Sequence, residues 1–169
     1  QLARFLAKRG VNLVRYHGPI YIQNGPDAGK IDQARLDNLF YFIAAMKREG
    51  VYTHLSIHFQ HWLRLNELQQ FAGYDAQTLP FAIHFFNPDF QRMYRSWWEA
   101  LLTSRSPHIG RPLVDEPAVM GLELLNEDSL FFWTFDYRRI PREQMQILEK
   151  QFAQWLTQKY GSLRLAMAA

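Results

Sequence analysis

Short apolar runs alternate with amphipathic stretches along this chain, and that alternation restricts the folds open to it more than any other feature. Residues 11–16, 51–58 and 119–125 are β-branched or apolar-rich and read as strands. Between and around them, apolar residues recur at helical spacing. Leu2, Phe5 and Leu6 predict a helix over residues 2–9 that Gly10 stops. Asp32 can cap a helix to Glu49 with Leu36, Leu39, Phe40, Ile43 and Met46 on one stripe. Asn87-Pro88 opens another helix, with Phe90, Met93, Tyr94, Trp97 and Leu101 in register. Pro141 opens the last, whose stripe is Met145, Leu148, Phe152, Trp155 and Leu156 and whose end is Gly161. A short helix is expected over residues 62–71 and the start of a further strand over residues 162–169. Strands alternating with helices predict α/β architecture with a parallel sheet.

Composition excludes several classes. With 48% hydrophobic and 15% aromatic residues among 169, the chain has ample material for a core and is not disordered. It has no cysteine, which removes disulfide frameworks, thiolate metal sites and a cysteine nucleophile. The net charge of +3 comes from scattered Lys and Arg, with no block of like charge, so neither nucleic acid nor a membrane surface is an expected partner. No apolar run approaches the roughly 20 residues that span a bilayer. Because the chain opens on Gln1-Leu2-Ala3, inside a helical pattern, its true start is expected upstream.

Each predicted strand ends in polar, ionisable residues: Arg15-Tyr16-His17, Ser56-Ile57-His58 and Asn126-Glu127-Asp128. In parallel α/β sheets the carboxyl ends of the strands converge on one face, where sites form. Side chains alternate along a strand, so Arg15 falls with His17, Ser56 with His54 and His58, and Glu123 with Glu127. Arg15 and Glu123 can also simply pair as an ion pair within the sheet. Two segments, Lys8-Arg9-Gly10-Val11 and Lys47-Arg48-Glu49-Gly50-Val51, each lead into a strand and echo one another, although any α/β chain shows some such grammar. No Gly-rich phosphate loop follows a strand, which argues against a nucleotide site.

Val14-Arg15, His58 and Glu123-Leu124-Leu125-Asn126-Glu127, each at a strand end, resemble the clan of (β/α)8-barrel retaining glycoside hydrolases, closest to the cellulase-like family 5 type. The resemblance spans roughly residues 2 to 160, and Glu-Leu-Leu-Asn-Glu is its most specific part. It implies a fragment of a TIM barrel holding about strands two to four with flanking helices, so that residues 1–169 form one partial domain without the first strand and strands five to eight. It implies that Glu127 is the general acid/base and that Asn126 holds the sugar 2-hydroxyl. Arg15 and His58 would line the same site, and His17, at the end of the first predicted strand, is a further candidate from its position alone. A carbohydrate is the implied substrate, no cofactor or metal is expected, and a secreted or periplasmic setting is favoured.

The family's nucleophile, at the end of the seventh strand, has no counterpart here; Asp128, Asp136, Glu67 and Asp75 are the nearest loop carboxylates, with none preferred. Retention needs the two carboxyl groups roughly 5–5.5 Å apart. A Glu half-buried among aromatic residues could hold its proton near neutrality. Trp62, Tyr74, Phe131, Phe132, Trp133 and Tyr137 could offer stacking platforms to sugar rings, with Trp62 and Trp133 foremost. Two alternatives stay open. One is a non-catalytic half-barrel that associates with itself, or with a missing half, through exposed sheet edges. The other is a metal-dependent barrel hydrolase using His17, His54 and His58.

Overall fold

A computed structural model describes residues 1–133 and 135–169, with only the backbone for Gln69. The chain is mixed α/β. Helix α1 (Leu2–Ala7) leads to strand β1 (Leu13–His17), α2 (Gln33–Arg48), β2 (Tyr52–Ser56), α3 (Pro88–Thr103), β3 (Val119–Glu123), α4 (Arg142–Tyr160) and α5 (Leu163–Ala166). The strands form a parallel sheet in the order β1-β2-β3. Arg15 is level with His54 and His54 with Gly121; two residues on, His17, Ser56 and Glu123 are level. Gly121 suits its place, since a Cβ there would come within 3.0 Å of the His54 ring.

Local signals set the helix boundaries. Asp32 accepts hydrogen bonds from the Ala34 and Arg35 amides, and Asn87 from those of Asp89 and Phe90, with Pro88 in the first turn. Gly161 closes α4 at φ 82°, a conformation that favours glycine. The strand expected after Gly161 is instead the short helix α5. Ser162 accepts from the Leu165 amide, and this cap turns Leu-Arg-Leu-Ala into a helical turn. The helix expected over residues 62–71 is replaced by two 3₁₀ turns, Gln60–Trp62 and Glu67–Gln69.

The core lies between the helix-facing side of the sheet and the apolar stripes of α2 and α3. Leu36, Leu39, Phe40, Ile43, Leu55, Ile57, Phe90, Trp97 and Leu101 are buried in one cluster. Tyr21 stacks on Trp97 with ring centroids 4.0 Å apart, and the Trp97 indole N–H donates to the Gly29 carbonyl at 2.6 Å. The stripe of α4 is only partly used: Met145 and Leu148 pack on the core, whereas Phe152 and Trp155 are about half exposed and stack on each other. Among the described residues, no helix is long and apolar enough to cross a membrane.

Candidate active site

The strand ends build a polar network. From β1, the Arg15 guanidinium reaches across the sheet. Its Nε donates to Glu123 Oε2 at 3.2 Å, and its Nη2 donates to the same oxygen at 2.5 Å, to Asn126 Oδ1 at 2.8 Å and to Ser56 Oγ at 3.4 Å. One cation thus ties the tip of β1 to the middle strand and to the turn after β3. His17 Nδ1 lies 2.8 Å from Ser56 Oγ. Burial raises the Glu123 carboxyl, but hydrogen bonds from Ser56 and Arg15 and the Arg15 charge outweigh it and hold the group below its ordinary value. Burial and then Arg15 lower His17, against the opposing pull of Glu123 and Glu127. The His17 ring lies 4.5 Å from the half-buried Trp62.

Arg15, His17, Asn126 and Trp62 therefore belong to one cluster, together with Ser56 and Glu123. Glu127 follows Asn126 at the same sheet end and is exposed, in the left-handed backbone region at φ 48°. A non-glycine residue there costs on the order of 1 kcal/mol, and such outliers gather at functional turns. The half-buried acid expected at Glu127 is found one residue on. Asp128 is buried and accepts from Gln60 Nε2 at 2.8 Å and from the Ala82 amide at 2.9 and 3.1 Å, stitching the loop after β3 to the loop after β2. Burial pushes its carboxyl up to about 6. Alternation would put Glu127 on the face of Glu123, but β3 ends at Glu123, the turn that follows is left-handed at Glu127, and Asp128 is the side chain that is buried.

His58 departs from the expected arrangement. β2 ends at Ser56, so alternation no longer holds at His58, which enters the aromatic core and is only 3% exposed. Its Nδ1 lies 2.7 Å from the Tyr21 hydroxyl, and its ring packs on Trp97, Phe90 and Tyr94. Burial drives its pKa down to about 3, so the ring is neutral. Tyr74, expected as a platform, is also buried. Trp133 is exposed and lines a separate cleft with His61 and Phe81. Of the loop carboxylates, Asp75 caps a turn through the Gln77 and Thr78 amides, and Asp136 is held by Arg138. Among the described residues, no three His, Asp or Glu side chains gather so as to hold a metal ion. Strand parity already placed Ser56 on the site face; Gln60 carried no signal in the sequence, and its role follows from the path of the loops.

Asp128 and His58 have opposite effects on stability. Between about pH 4 and 6, native Asp128 keeps a proton that the unfolded chain releases, so its contribution falls as pH rises. In the same window, unfolded His58 binds a proton that the native ring refuses, so its contribution is lost as pH falls. The two slopes nearly cancel. Asp128→Asn is therefore expected to unmask the histidine: relative to the parent, its stability should climb by on the order of 1 kcal/mol per pH unit across this window. Urea unfolding at several pH values measures this, and parallel profiles for the two proteins would refute it.

No family model matches this chain, and no curated protein matches it.

Proposed function

We propose that this chain forms the acid/base half of a retaining β-glycoside hydrolase of (β/α)8-barrel type, acting on a β-linked oligo- or polysaccharide. One observation carries the reading: Arg15, Ser56, Glu123 and Asn126 converge, with Glu127 beside them, at the carboxyl ends of three adjacent parallel strands. Glu127 protonates the leaving oxygen and then activates water. Asn126 spends its carbonyl on Arg15, which leaves its amide N–H groups to donate to a sugar hydroxyl. Arg15 positions Asn126 and keeps Glu123 ionised. Trp62, against His17, offers an apolar face to a sugar ring. The nucleophile is the complementary half's contribution.

Amide NMR of the 169-residue chain, titrated with cello- and mannohexaose, tests the reading. Shifts should gather at Asn126, Glu127 and His17 and weaken in Asn126→Ala. Shifts confined to other surfaces, or none with either sugar, would sink it. The half-barrel alternative draws on one observation, the exposure of Met120 and Leu124 at the β3 edge. Light scattering that shows a dimer favours it, and a clean monomer removes its self-association form.

A further inference from the structure

Beyond the strand ends, a cleft of about 630 Å³ opens between residues 77–81 on one side and Trp133 with residues 135–140 on the other. Its volume suits a small ligand or a sugar unit. Trp133, 78% exposed, and Phe81 line it, beside Gln77 and Thr78. Such walls combine apolar faces for ring C–H groups with hydrogen-bonding side chains for hydroxyls.

Arg138 and Arg139 also line this cleft, and among the described residues Asp136 is their one carboxylate partner there. Asp136 grips Arg138 at two points, Nε to Oδ1 at 3.0 Å and Nη2 to Oδ2 at 3.1 Å, and also takes the Arg138 amide at 3.0 Å. These bonds from Arg138 hold the Asp136 carboxyl below its ordinary value, so the grip persists to low pH. Arg139 approaches the same carboxylate only at 3.7 Å, and its side chain is 84% exposed. One carboxylate thus stands against two guanidiniums. Arg139 keeps most of its donor fork for something else. The same two arginines line a neighbouring cleft of about 570 Å³ toward Arg142, whose own guanidinium is taken by Glu149 at 2.9 Å. A neutral sugar gains only ordinary hydrogen bonds from a surplus cation, whereas a carboxylate or sulfate matches a guanidinium fork in charge and geometry.

We infer that this cleft is a subsite for an acidic sugar unit, bearing a carboxylate or a sulfate, in the β-linked chain; the inference rests on the glycosidase reading above. Trp133 stacks on the ring, Arg139 holds the anionic group, and Arg138, fixed by Asp136, shapes the wall beside it.

Calorimetric titration of the 169-residue chain tests this with cello- and mannohexaose, each plain, carboxylated at C6 and sulfated at O6, and with a thymidine hexanucleotide. For at least one sugar backbone, an acidic form should bind about tenfold tighter than the plain form at low salt, the size of one charge-assisted contact. That advantage should shrink between about 20 and about 300 mM salt. Arg139→Gln should bring the acidic forms down to the affinity of the plain form, and Trp133→Ala should weaken plain and acidic forms alike. Both side chains are exposed, so these variants keep the fold. Equal binding of plain and acidic sugars, unmoved by Arg139→Gln, overturns the acidic subsite and leaves the glycosidase reading standing. No binding of any hexaose overturns both. Hexanucleotide binding as tight as the acidic sugars, lost in Arg139→Gln, overturns the sugar assignment in favour of a general anion surface.

Discussion

Glu127→Gln is expected to cut hydrolysis of β-glycosides with poor leaving groups by ~10²–10⁴-fold, the usual scale of general acid catalysis. The assay uses whichever form of the protein hydrolyses them, the chain alone or joined to its nucleophile-bearing half. Gln keeps the size and hydrogen bonding of the side chain but cannot deliver a proton. Aryl glycosides whose phenolate leaves unaided need no proton at that step, so their loss should be much smaller. This leaving-group dependence is the informative part. An equal loss on both substrate classes would show that Glu127 positions or supports the site rather than donating the proton. Stability should be unmoved, because Glu127 is exposed. A large drop in unfolding midpoint would instead assign the residue to the fold.

Trp97→Ala is expected to destabilise the chain by about 3–5 kcal/mol, the range for emptying a buried aromatic site. Trp97 is fully buried and stacks on Tyr21, and its indole N–H is spent on the Gly29 carbonyl. Gly29, whose carbonyl takes that N–H, sits at φ 87°, a conformation that favours glycine, so the substitution unties this turn from the core. The loss also removes the surface on which His58 rests. Trp98→Ala provides the comparison: Trp98 is 7% exposed and lines a surface cleft, so a smaller effect is expected. Urea unfolding of both variants checks the order. A Trp97 effect below about 1 kcal/mol would mean that the core closes over the gap.

The two experiments bear on different links between structure and function. Glu127 lies where the sheet ends, on strained backbone and in solvent, with little packing to lose. Trp97 lies deep among aromatic rings that hold the strands in place behind it. If both predictions hold, chemistry and stability are separable within one βα layer, as expected when a rigid scaffold carries its site on the loops at its rim.

Much of this was legible before folding was considered. Helix starts at Asp32 and Asn87-Pro88 and the stop at Gly161 were readable because capping is settled within a few residues of backbone. The helical stripes of α2 and α3 were readable because burial follows a period of 3.6. The pairing of Arg15 with Glu123 was open to the sequence because alternation puts both on one face of the sheet, although β2 lies between their strands. What could not be read was how far each strand runs. β2 stops at Ser56, two residues short of its expected end, and so His58 lies in the core rather than beside Ser56. The turn at Glu127 is left-handed, and so Asp128 takes the buried place. α5 replaced a strand because one serine cap tipped a short, ambiguous segment.

Nearest-neighbour chemistry in the chain thus settled where the helices begin and end, that the strands lie parallel, and which face of each strand is polar. The direction of individual side chains beyond the strand ends rested on long-range packing. His58 turns inward because Tyr21 and Trp97, distant in sequence, offer it a partner and a surface. Asp128 turns inward because Gln60 and the Ala82 amide need an acceptor. Such partners are brought together only when the loops close over the core, so no period or motif along the chain could announce them.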